Sequence, residues 1–80
     1  MEMTYHLART PGYTERLHVR ANGSLVTTIH VDRTHFAQEW CRNHGMWPST
    51  TVTADNGECF TLWEDGERAC AIPATEGVNA

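Results

Sequence analysis

Leu17-His18-Val19-Arg20-Ala21-Asn22-Gly23-Ser24-Leu25-Val26-Thr27-Thr28-Ile29-His30-Val31-Asp32 is the stretch that decides how this chain folds. Apolar and polar residues alternate on both sides of Asn22-Gly23, the period of a strand with one buried face. Asn-Gly between two such runs is a strong hairpin cue. A two-residue loop would set Arg16 opposite Ile29 and mix the faces, because partners in an antiparallel ladder share a side. A three-residue loop, Ala21-Asn22-Gly23 with Gly23 left-handed, pairs Val19 with Leu25 and Leu17 with Thr27, and is the geometry expected. It sends Leu17, Val19, Ala21, Leu25, Thr27, Ile29 and Val31 to the core and leaves Arg16, His18, Arg20, Thr28 and His30 on the other face.

Toward the N-terminus, residues 3–8 read as a further strand with Met3, Tyr5 and Leu7 on one side, ended by Pro11-Gly12. Toward the C-terminus, Asp32 is placed to cap a helix, with Val31 and Phe36 in the staple relation. Gly45 is placed to stop that helix, and Arg42 and His44 lie in its last turn, where the dipole favours cations. Phe36, Ala37, Trp40, Cys41 and His44 then form its apolar stripe, with Arg33, Gln38, Glu39 and Arg42 toward water. Buried in this way, Phe36 and Trp40 would each cost about 3–5 kcal/mol to truncate to alanine.

After Met46-Trp47-Pro48, strands are predicted over residues 50–54, 58–63 and 67–72. A loop of Asp55-Asn56-Gly57 pairs Val52 with Phe60. A loop of Glu64-Asp65-Gly66 pairs Phe60 with Cys70 and Leu62 with Arg68, which keeps Val52, Phe60, Leu62, Cys70 and Ile72 on one face. A tighter second turn would instead set Trp63 opposite Arg68 for a cation–π contact. The expected fold is α+β: an antiparallel sheet (β-β-β-α-β-β-β) packed against a single helix. Residues 1–72 form the one domain, and 73–80 are a polar tail expected to fray.

Eighty residues hold one domain with a small core and no room for a large cofactor pocket. No apolar run approaches the roughly 20 residues of a membrane span, and the first residues lack the basic-then-apolar order of a secretory signal. Three widely spaced cysteines do not suggest a disulfide framework. A reduced, cytoplasmic setting is therefore expected. Lysine is absent from the chain, which we read as the codon bias of a GC-rich genome.

Charge is sorted by half. Residues 1–44 carry five arginines, all five histidines and four acids; residues 45–80 carry Arg68 against six acids. Asp55, Glu58, Glu64, Asp65 and Glu67 fall on turns and strand ends, where they should be exposed. With Trp63 or Trp47, if exposed, as an anchor they make a candidate docking face for a basic protein partner. The bland account is a soluble surface that protects sheet edges. The alternative site is the basic face of Arg16, His18, Arg20 and His30, for nucleic acid or as an antitoxin-like regulator. It has few aromatics for stacking bases, and a net charge of −4 opposes phosphate, so direct nucleic-acid binding is not expected.

Zinc ligation by Cys41 and His44 with His35, Cys59 or Cys70 lacks paired ligand spacing, so no metal or other cofactor is assigned. A Cys41 nucleophile would sit on the buried stripe, out of substrate's reach, so no catalytic residue is assigned either.

A short, acidic, lysine-free α+β chain without catalytic apparatus resembles small phage-encoded anti-CRISPR proteins. The layout that carries the resemblance is the three hairpin turns, the helix between Asp32 and Gly45, and the acids between Asp55 and Glu67. The resemblance implies a non-enzymatic inhibitor that binds a subunit of a CRISPR effector complex in the infected host's cytoplasm and blocks target DNA. Monomer and homodimer are both compatible with open sheet edges.

Overall fold

The computed structural model describes residues 2–10 and 14–74. Six strands and one helix follow in the order β1 (Met3–Thr10), β2 (Thr14–Ala21), β3 (Ser24–Val31), α1 (Ala37–Asn43), β4 (Trp47–Thr53), β5 (Cys59–Glu64) and β6 (Ala69–Pro73). All six strands form one sheet, ordered β1-β2-β3-β6-β5-β4. The α+β class and the order of elements along the chain match expectation. The wholly antiparallel sheet does not, because β3 and β6 run parallel, pairing His30 with Cys70 and Val31 with Ala71. A parallel neighbour needs a long crossover, and α1 together with the β4–β5 hairpin supplies it. The sheet curls into a half-barrel. At one end its two edges meet, where the Asp55 amide donates to the Tyr5 carbonyl at 2.8 Å.

The first hairpin satisfies the face requirement by a route the alternation did not suggest. Its loop is Asn22-Gly23 alone, with Ala21 opposite Ser24 and both loop residues at positive φ, 54° and 86°. A bulge then shifts the register, so Val19 faces Thr27 and Leu17 faces Ile29. One extra residue, Val26, absorbs the mismatch between the tight turn and the pattern. Leu25 consequently pairs with Arg20 on the outer face and is exposed, not buried.

The Asp55-Asn56-Gly57 loop does set Val52 opposite Phe60. The next turn is longer than expected. Glu64 pairs with Ala69, so Trp63 faces Cys70 and Leu62 faces Ala71. Phe60 therefore does not meet Cys70, Leu62 does not meet Arg68, and Arg68 does not stand opposite Trp63. Asp65 causes this. Its Oδ1 accepts from the amides of Glu67 (2.9 Å) and Arg68 (2.7 Å), closing a side-chain-stabilised turn.

Two apolar clusters result. Leu17, Val19, Ile29, Val31, Val52, Ala54, Phe60 and Ala71 fill the concave side, with Tyr5, Leu7 and Leu62 packed against them. Ala37, Cys41, Met46, Trp63, Cys70 and Ile72 form the second, between α1 and the outer side of β5 and β6. Cys70 and Ile72 therefore leave the face shared by Val52, Phe60 and Leu62. β6 is buried on both sides.

The helix begins later than its expected cap. Asp32 instead accepts the Thr34 amide at 2.9 Å in a turn, and Phe36 takes the N-cap position without a side-chain bond. Gly45, at φ 75°, follows the helix as expected. The turn expected at Pro11-Gly12 and the tail beyond Ala74 lie outside the described residues; Pro73 belongs to β6.

Candidate functional site

The late start of α1 re-aims its side chains. Ala37 and Cys41, one turn apart and both buried, press against the sheet. Their small size permits close approach of helix to strand. Phe36 and Trp40 lie one residue back, about 100° around the helix, and emerge at its flank, 66% and 45% exposed. Both were expected in the core. Beside them opens a largely apolar groove of about 630 Å³, bounded by Phe36, Trp40 and Met46 on one side and Ala69 and Cys70 on the other. Its polar rim is His30, Asp32, Thr34 and Arg68. Trp40 is stacked on His44 at 3.9 Å, and His35 meets Phe36 edge-on. The aromatic pair is thus held in place although exposed.

The acids do not form one surface. Asp55 and Glu58 precede β5, whereas Glu64, Asp65 and Glu67 lie at its other end or beyond, so the strand separates them. Most are also neutralised. Arg33 bridges Glu15 (2.6 Å) and Glu58 (2.6 Å), with its guanidinium over the Phe60 ring. Bonding to Arg33 holds both carboxyls below their ordinary range against the opposing effect of burial. The two carboxylates in turn raise the Arg33 pKa, Glu58 most. Asp55 pairs with His6 and accepts from the Leu7 amide, and those bonds lower its pKa. Backbone bonds from Arg68 and Glu67 bring Asp65 down to about 2. Trp63, the expected anchor of this face, is 4% exposed beneath α1, with Arg42 over its ring. A buried indole is not available to a partner.

The basic face is assembled by strand register. Arg16 stands opposite His30 and Ala8, His18 opposite His6 and Thr28, and Arg20 opposite Thr4 and Leu25. The His6 and His18 rings are 6.0 Å apart. Among the described residues, neither Arg16 nor Arg20 has a carboxylate partner. Among the described residues, α1 covers the outer face over β5 and β6 and no element covers this half. His30 links it to the groove.

Cys41 and Cys70 belong to the same buried cluster. Burial raises both pKa values, that of Cys70 to about 12. Such thiols are poor nucleophiles. The other residues weighed for zinc are dispersed: His44 against Trp40, His35 against Phe36, and Cys59 beside the Thr53 hydroxyl. Among the described residues, no group of three or more His, Cys, Asp or Glu is gathered to hold a metal ion. No described helix is long and apolar enough to cross a membrane.

Sequence reasoning missed the Phe36–Trp40 pair and the Arg33 hub. Ala37 and Cys41 were the available signal for the first, as small residues at i, i+4 spacing mark a close helix contact. Arg33 gave no sequence signal, because its partners lie 18 and 25 positions away. No protein-family model matches this chain, and neither a curated protein nor a solved structure is significantly similar to it.

Proposed function

We propose that this chain is a non-enzymatic binding protein whose working surface is the groove beside Phe36 and Trp40. The observation that carries this reading is the exposure of two aromatics beside one apolar groove, Trp40 stacked on His44 and Phe36 edge-on to His35. Leaving such rings in water costs a fraction of the about 1.5–3 kcal/mol that burying a large apolar side chain returns. Aromatic residues around a small pocket are also the usual anchors of a protein interface. In its most specific form, drawn from the class resemblance, the partner is a subunit of a CRISPR effector complex and binding blocks access to target DNA. Size exclusion with a purified effector complex, followed by a DNA-binding assay, tests that form. Co-elution that Trp40→Ala abolishes is expected. Unchanged elution and unchanged DNA binding would remove the CRISPR assignment.

A second reading, a small nucleic-acid binder or antitoxin-like regulator, is favoured by Arg16 and Arg20 on the outer face, which have no carboxylate partner among the described residues. It expects retention of single-stranded DNA or RNA at pH 6 that weakens steeply with salt. No retention at low salt would dispose of it.

A further inference from the structure

The groove and the open basic face are continuous. His30 lines the groove and stands opposite Arg16 in the β2–β3 ladder. Arg68 stands on the groove's rim, and Arg20 follows Arg16 on the same side of β2, four residues on, about 13 Å along an extended strand. Of the acids nearest these cations, Glu15 faces the concave side with Arg33 and Arg9, Asp65 pairs with Arg68 itself at 3.1 Å, and Asp32 accepts the Thr34 amide. The surface thus offers an apolar slot with aromatic walls, flanked along one direction by Arg16 and Arg20, which lack carboxylate partners among the described residues.

Resting on the groove reading, we propose that the occupant is an acidic peptide segment of a protein partner, with one apolar or aromatic anchor. The anchor enters between Phe36, Trp40 and Met46. Carboxylates on one side of it fall on Arg16 and Arg20 across His30. Charge complementarity selects this occupant, since a basic segment would leave Arg16 and Arg20 facing like charge, which costs affinity and slows encounter. A nucleic acid fits the groove less well. Two unpaired arginines neutralise few phosphates, and His44 already occupies one face of Trp40.

The test is selection of a random dodecapeptide display library on the immobilised full chain, with synthetic winners then measured by fluorescence polarisation. Winners enriched in Asp and Glu around a single Trp, Phe or Leu are expected. Trp40→Ala and Arg16→Glu should each weaken them at least tenfold, with circular dichroism unchanged. Winners that need Trp40 but carry no excess of acids, or that ignore Arg16→Glu, overturn the acidic occupant and leave the groove reading standing. Winners indifferent to Phe36→Ala and Trp40→Ala overturn both. A single-stranded oligonucleotide that binds more tightly than the winners and needs Arg16 assigns the face to nucleic acid. Sedimentation showing a dimer that Trp40→Ala dissolves assigns the groove to a second copy. Either result also overturns the proposal.

Discussion

The two halves of the sheet are built alike, from short hairpins with Gly-containing turns, yet they bury different amounts of themselves. β1 to β3 bury only the concave side, and their outer side carries Arg16, His18, Arg20, His6 and His30. β5 and β6 are covered on both sides, by the concave core and by α1. The contrast shows how a chain too short for two full layers divides its surface. One helix of seven residues covers two of the six strands, and among the described residues no second helix covers the rest. The aromatic groove lies at the boundary, where the helix cover ends.

The largest test of this contrast lies in the doubly covered half. Phe60→Ala, on the concave side, and Trp63→Ala, beneath α1, should each cost about 3–5 kcal/mol, a large part of the stability of so small a domain. Urea unfolding should show a shifted midpoint for both. A mild effect for Trp63→Ala alone would mean that the helix does not seal that face.

Arg33→Gln comes next. It removes the bridge from β2 to the start of β5, leaves Glu58 without its cation and leaves Glu15 with Arg9 alone. A loss of about 1–2 kcal/mol at pH 7 is expected, discounted because the Arg33 side chain is 37% exposed. The pH dependence has a defined sign. Both folded carboxyls lie below 4.5, so their stabilisation is present above pH 4.5 and is lost as pH falls through the lowered folded values. Arg33→Gln should flatten that acid limb in a stability-against-pH curve. An unchanged limb would assign acid sensitivity to other groups.

The smallest effects on folding belong to the open half and the groove. Phe36→Ala and Trp40→Ala should each change stability by less than about 1 kcal/mol, since both are substantially exposed. The sequence alone suggested several times that. Arg16→Glu should stay within about 0.5 kcal/mol. Thermal melts of the three variants sharpen the comparison, because a melt lowered as far as that of Phe60→Ala would return the aromatic pair to the core.

Much of the architecture is legible in the chain, and its failures have physical causes. Alternation around Asn22-Gly23 identified the inward set Leu17, Val19, Ile29 and Val31 correctly, because a strand with one buried face must show period two. It could not reveal which device keeps the register, since a longer loop and a tight loop with a bulge satisfy the same pattern nearby. They differ in which residues face each other, since Val19 meets Thr27 rather than Leu25 and Leu17 meets Ile29 rather than Thr27, and in sending Leu25 outward. β6 misled for the opposite reason. Ala69-Cys70-Ala71-Ile72-Pro73 is a continuous apolar run, the pattern of a strand covered on both faces, whereas pairing by turn length alone treats it as half-buried. With that mistake went the parallel neighbour, Trp63's burial and the docking face that Trp63 was to anchor. Acids clustered in sequence looked clustered in space, yet the turns on either side of a strand point to opposite ends of it.

The joint between the halves is narrow. Only His30 with Cys70 and Val31 with Ala71 pair across it, extended by the Asp32 amide on the Ala71 carbonyl. Those partners are about forty positions apart in the chain, whereas the hairpins on either side close over a few residues. Contacts between distant segments bear the entropy of ring closure before they return anything. Folding speed is therefore governed by when this seam zips rather than by how fast the ribbons form. Substitutions at Val31 or Ala71 are expected to slow refolding, whereas changes at the outer ribbons mainly hasten unfolding.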